Sequence, residues 1–146
     1  MKKIIYFQTN KEHYHADACI VWCFDDRFTP VLNAFAKVKN YQHYDLVRIA
    51  GGIKALASPD KESDREYVLK QIEISLKLHH APKLVLMNHS DCGAYGGLQA
   101  FQNNETTEKE EHIKELTTAK EFLQKNLSKQ VPIDLVFVDC TGIYEV

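Results

Sequence analysis

No stretch of this sequence approaches the roughly 20 apolar residues needed to cross a bilayer, and its opening, Met1-Lys2-Lys3-Ile4-Ile5-Tyr6, is too short for an export signal. A cytoplasmic protein with no membrane partner is the expectation. Charge of one sign is also missing: the formal net charge is -2, and the lysines and arginines are scattered instead of forming a stripe. That excludes a general attraction to polyanions and so argues against nucleic acid. Without an export signal, the four cysteines read as thiols or metal ligands and not as disulfides. Internal repeats and linkers are absent too. What is present is a chain of 146 residues, 45% hydrophobic and 26% charged, too apolar for disorder. It predicts a single domain over 1–146 with one core and one active centre.

Ala18-Cys19-Ile20-Val21-Trp22-Cys23 is a short apolar run ending in Phe24-Asp25-Asp26-Arg27, the pattern of a buried strand that stops at a polar loop. Residues 29–39 follow with helical spacing and Pro30 in the first turn. A second strand spans 44–49 and closes on Ala50-Gly51-Gly52. Residues 58–66 are polar and charged, predicting a loop that leads into a helix through Tyr67, Leu69, Ile72 and Leu76. Ala81-Pro82 ends it. Another apolar strand, 83–88, runs straight into His89-Ser90-Asp91-Cys92-Gly93. The charged stretch 103–115 passes into a helix with Ile113, Leu116, Ala119, Phe122 and Leu123, expected to be a solvated surface helix without chemistry. A last buried strand covers 132–139, and Thr141-Gly142 turns the chain into an antiparallel edge at 143–146.

Strands alternating with helices predict an α/β fold, a mainly parallel sheet flanked by helices, with a C-terminal antiparallel edge strand. Such sheets bind ligands beyond the carboxyl ends of their strands, where the strand order reverses. Both polar clusters follow strands in this way. If the two strands are neighbours, Cys23, His89 and Cys92 meet in one crevice.

Thiolate and imidazole are the donors zinc prefers, and a catalytic zinc takes three protein ligands with the fourth position left for water. Cys23, His89 and Cys92 supply that set, with His89 and Cys92 two residues apart on one tight loop and Gly93 relieving the backbone behind them. The remaining cysteines, Cys19 and Cys140, sit in apolar strand-like runs and read as core. Asp25 and Arg27 complete C-x-D-x-R after the first strand. Taken alone, that pair is as consistent with a surface ion pair as with a site.

These motifs resemble the β-class carbonic anhydrases. Cys23-Phe24-Asp25-Asp26-Arg27 matches the family's C-x-D-x-R, and His89-Ser90-Asp91-Cys92-Gly93 matches its H-x-x-C-G. Between them Arg48-Ile49-Ala50-Gly51-Gly52 is similar to R-N-A-G, with Ile49 in place of asparagine. Val138-Asp139-Cys140-Thr141-Gly142 resembles the family's last strand and turn, so the likeness spans 18–146. The spacing from Cys23 to His89 is longer than usual, with the surplus around 58–66, and the helical arm that commonly clasps a second subunit has no counterpart ahead of Ala18.

The resemblance implies a β-carbonic anhydrase-like fold, a homodimer as partner state, Zn2+ as cofactor, and reversible hydration of carbon dioxide to bicarbonate by a zinc-bound hydroxide. Two thiolates leave the metal formally neutral and its water less acidic than three imidazoles would, so a helper is useful. By the same resemblance Asp25 orients the hydroxide while Arg27 holds Asp25 ionised, or Asp25 leaves Arg27 and becomes a fourth ligand in an inactive state. Backbone amides near Gly51, Gly52 and Gly93 are expected to approach substrate, and Phe28 and Tyr95 to wall a small apolar pocket. For proton export, His13, His15, His43, His79, His80 and His112 are candidates by type, each against an ordinary surface or helix-end position. Two other functions use the same residues: a hydrolase of carbonyl sulfide or carbon disulfide, and a zinc-binding protein of this fold without turnover.

Overall fold

The computed structural model describes residues 1–146. Its elements in chain order are β1 (Ala18–Cys23), α1 (Thr29–Val38), β2 (Tyr44–Ile49), α2 (Lys54–Ala57), α3 (Glu62–Leu78), β3 (Leu84–His89), α4 (Glu105–Asn126), β4 (Ile133–Val138) and β5 (Ile143–Glu145). Every residue of β1 and β3 is buried. Continuous apolar runs of this kind suit strands covered on both faces.

The five strands form one sheet in the order β2-β1-β3-β4-β5. The first four are parallel, and β5 returns antiparallel against β4. From β1 the chain goes to one side for β2 and comes back on the other side for β3. The order therefore reverses at β1, and the carboxyl ends of β1 and β3 frame the crevice that a parallel sheet offers a ligand.

Side chains alternate between two faces. Cys19, Val21, Leu84, Leu86, Leu135 and Phe137 face one core with Leu56 of α2, Ile72 and Leu76 of α3, and Leu116 and Leu123 of α4. Ile20, Trp22, Val85, Met87, Val136 and Val138 face a smaller core closed by Phe28 and by Leu32 and Phe35 of α1.

Three expectations are corrected. Helix α3 starts at Glu62, inside the stretch read as a loop, because Glu62 and Asp64 in its first turn suit the positive end of the helix. Helix α4 is a single helix from Glu105, capped by Asn104, and its buried stripe includes Glu108, His112 and Glu115 as well as Leu116, Ala119 and Leu123. It is not a solvated surface helix. Cys140 is exposed, since it lies beyond the end of β4 in the turn, where no second layer covers it.

Candidate metal centre

Cys23 ends β1 and His89 ends β3, so two adjacent parallel strands deliver them to the same edge of the sheet. Cys92 follows after Asp91, whose left-handed backbone (φ 52) turns the chain back toward the strand ends. The ligand atoms of Cys23, His89 and Cys92 lie within 4.8 Å of one another, and all three residues are buried. Their sulfurs are 4.0 Å apart.

The chemistry of this donor set fits a soft or borderline divalent ion. His89 Nδ1 lies 2.8 Å from the Ser90 carbonyl. A carbonyl only accepts, so Nδ1 carries the proton and Nε2 keeps its lone pair. That Nε2 is buried and has no hydrogen-bond partner. Orienting a ligating histidine through its other nitrogen is the usual device of metal sites.

Two sulfurs this close cannot both carry charge unless a cation lies between them. Accordingly, the Cys23 thiol is held well below its ordinary value by a hydrogen bond from Cys92, with help from the amides of Asp25 and Gly51, and these overcome its burial. Cys92 is pushed up, first by that shared hydrogen bond with Cys23, then by burial and by the negative charge on Cys23, against the amides of Ala94 and Tyr95. Backbone N–H groups thus address both sulfurs, an arrangement that favours thiolates.

Asp25 does not join the cluster of ligand atoms; it pairs with Arg27. Arg27 Nε donates to both carboxylate oxygens at 3.1 Å, and Nη2 donates to Oδ2 at 2.7 Å. The guanidinium beside it, with the Arg27 amide, holds the Asp25 carboxyl below the usual carboxylate range despite partial burial. The other side of Arg27 belongs to Asp91, with Nη1 donating to its Oδ2 at 2.8 Å and Nη2 to its carbonyl at 3.0 Å. Arg27 therefore bridges the loop after β1 to the loop after β3. Arg48 fixes the first of these loops from below, donating to the carbonyls of Cys23 and Asp25 and to Thr29 Oγ1.

Behind the second loop lies a buried polar network that the sequence did not announce. Asn88 Oδ1 accepts from the His89 amide at 3.2 Å, so its Nδ2 is the donor to His112 Nδ1 at 2.8 Å. His112 then carries its proton on Nε2, which faces Glu108 Oε1 at 3.7 Å. Glu108 Oε1 accepts from the Asp91 amide at 2.7 Å. Burial pushes the Glu108 carboxyl up and the His112 imidazole down, the latter to about 4. Tyr95 belongs to this network as well: its hydroxyl donates to Glu115 Oε2 at 3.2 Å, and Glu115 also accepts from Ser58.

Several predicted site residues take more specific positions. The Gly51 amide favours the Cys23 thiolate. Gly52, at φ 54, is so close to the strands that a Cβ would meet the Cys23 nitrogen at 3.0 Å and the Met87 carbonyl at 3.1 Å. Gly93 has open space where a side chain would go. Phe28 lies 4.5 Å from the His89 ring and Trp22 5.5 Å, an apolar wall on one side of the cluster. Ile49 packs against the larger core. Among the histidines, His43 and His79 flank Tyr14, and His15 stacks on His80, around the amino end of β1. A six-residue strand puts them about 17 Å from Cys23. His13 is exposed and His112 is buried in α4.

Residues 13–146 match the family model described as "Putative carbonic anhydrase". An uncharacterized protein of Rickettsia bellii is 25% identical over 151 residues, covering 99% of this chain and 92% of that protein. Among solved structures, the β-carbonic anhydrase isoform I of Trichomonas vaginalis shares the fold with a TM-score of 0.62 at 12% identity, covering 97% of this chain and 87% of the other. A carbonic anhydrase of Streptococcus mutans shares it with a TM-score of 0.56 at 18% identity, covering 92% and 83%.

Proposed function

This chain belongs to the Putative carbonic anhydrase family, and on that premise we propose that it hydrates carbon dioxide reversibly to bicarbonate with Zn2+ held by Cys23, His89 and Cys92. The observation that carries the reading is the convergence of two sulfurs and a bare, buried imidazole Nε2 within 4.8 Å at the carboxyl ends of β1 and β3. Zinc bound by such a set supplies a Lewis acid that makes water a nucleophile near neutral pH.

The chain's own residues do the rest. Asp25, kept ionised by Arg27, accepts a hydrogen bond from the attacking water and orients it. Because Arg27 is pinned on its far side by Asp91, the carboxylate stays on the guanidinium instead of turning toward the sulfurs. Phe28 and Trp22 offer carbon dioxide, a nonpolar molecule, an apolar wall beside His89. Amides near Gly51 serve the thiolate, and the open space at Gly93 leaves room for substrate. A homodimer belongs to the same reading, supported by exposed Leu46, Ile74 and Leu78 beside the unpaired edge of β2; sedimentation reads it.

Stopped-flow hydration by the zinc-loaded protein at alkaline pH tests the function. The expected result is turnover above background that falls about 10- to 100-fold in Asp25→Asn with zinc retained. Bound zinc with background rates would instead identify a zinc-binding protein without turnover. Sulfide release from carbonyl sulfide or carbon disulfide, with no hydration, would replace the substrate.

A further inference from the structure

We propose that Glu108 is a positioning residue for the metal loop: its carboxylate, buried on α4, takes the Asp91 amide and so fixes the segment that carries His89, Cys92 and the far anchor of Arg27. The inference rests on the reading above for its consequence, since that reading makes His89 and Cys92 ligands, but its geometry stands without it.

Asp91 is the residue on which the loop turns. Its left-handed backbone is a conformation that non-glycine residues adopt at some energetic expense and keep only when their surroundings enforce it. Four polar contacts enforce it. Asp91 Oδ2 and the Asp91 carbonyl receive Arg27, Oδ1 accepts the Leu98 amide at 3.0 Å, and the Asp91 amide donates to Glu108. Three of these use surface-accessible oxygens that water could serve as well. The fourth is a backbone N–H whose acceptor, Glu108, is only 1% exposed. Removing the Glu108 carboxylate leaves this N–H aimed at a buried position without its acceptor, and so frees the loop to move.

Position and orientation of Glu108 are themselves fixed. It lies near the start of α4, where a carboxylate suits the helix dipole. Its backbone amide donates to the Asn104 carbonyl at 3.0 Å. The tautomer that Asn88 imposes on His112 turns its Nε2–H toward Glu108 Oε1, the oxygen that accepts from Asp91, but at 3.7 Å the two do not form a hydrogen bond. Asn88 meanwhile takes the His89 amide. Two buried side chains therefore support two backbone amides of the loop, Asn88 at 89 and Glu108 at 91, and Glu108 is the one that reaches the turn itself. Through Asp91 the support reaches Arg27, and through Arg27 it reaches Asp25.

The experiment compares Glu108→Gln, which keeps an acceptor oxygen, with Glu108→Leu, which keeps only bulk. Amide hydrogen exchange of Asp91 is followed by NMR beside the amide of Leu86 in the core, and zinc release from the loaded protein is followed with a chelator. Expected for Glu108→Leu are faster Asp91 exchange with Leu86 unchanged, and zinc release faster by about 10- to 100-fold. Glu108→Gln is expected to restore both to near the parent values. Should Glu108→Leu not fold, Glu108→Asp takes its place, because a carboxylate one methylene shorter keeps the charge but falls short of the Asp91 amide. Asp91 exchange unchanged in the variant lacking reach, or zinc release unchanged despite a freed amide, would overturn the proposal. A parent protein that holds zinc without hydrating carbon dioxide would defeat the enzymatic reading alone, and one that binds no zinc while its Asp91 amide still responds to Glu108→Leu would overturn the consequence for the metal.

Discussion

The exposed guanidinium of Arg27 joins the loop after β1 to the loop after β3, and only the loop after β3 is also held from behind, through side chains that solvent does not reach. Arg27 is 55% exposed, and each of its ion pairs is worth only about 0–1 kcal/mol in stability. Asn88 and His112 are fully buried and Glu108 nearly so. A buried polar group stripped of its partner costs about 1–3 kcal/mol. Arg27 can therefore be altered with little effect on folding, whereas the buried supports of the second loop are part of what holds the molecule together. This division suits the proposed site, in which Asp25 would orient the nucleophile at the open side and His89 and Cys92 would keep one fixed geometry at the closed side.

Breaking the buried side should have the largest effect. Asn88→Leu removes the acceptor for the His89 amide and the donor to His112, and is expected to destabilise by about 2–5 kcal/mol in urea unfolding. A loss under 1 kcal/mol would erase the contrast between the loops. Next comes pH. His112 is pushed from 6.5 to about 4, first by burial and further by neighbouring His89. The unfolded chain thus binds a proton that the folded chain refuses. The stability this gives is fully present above pH 6.5 and is lost as pH falls toward 4, to the extent of about 3 kcal/mol. His112→Leu should flatten that part of the stability profile, and an unchanged slope would show that the imidazole is not sequestered.

On the exposed side, Arg27→Gln should leave stability within about 1 kcal/mol while lowering hydration by about tenfold. A variant that unfolds instead would make the two loops alike. The smallest effect concerns the cysteines outside the cluster. Cys140 is exposed and Cys19 is buried with its thiol pushed up to about 11, first by burial. Iodoacetamide should label Cys140 in the folded protein and spare Cys19, and Cys140→Ser should shift stability by no more than about 0.5 kcal/mol.

Much of this was legible in the residues themselves. The apolar runs before Phe24 and His89 marked β1 and β3 because a doubly covered strand needs an unbroken hydrophobic stretch, and the cysteine and histidine spacing marked the cluster. The supports of the second loop were not legible. Glu108, His112 and Glu115 lie in a stretch where most neighbours are charged, and burial of a single polar residue depends on what the rest of the chain brings to it. The one available signal was their spacing, at four and three residues, in line with Leu116, Ala119 and Leu123. Cys140 misled in the opposite direction: it continues an apolar run, but the strand ends two residues earlier, at Val138.

X-ray absorption at the zinc edge of the loaded protein tests the convergence of Cys23, His89 and Cys92 most directly. Two sulfurs at about 2.3 Å and at least one imidazole nitrogen at about 2.0–2.1 Å are predicted, with one sulfur lost in Cys92→Ser. A first shell without sulfur, or one unchanged by that substitution, would contradict it.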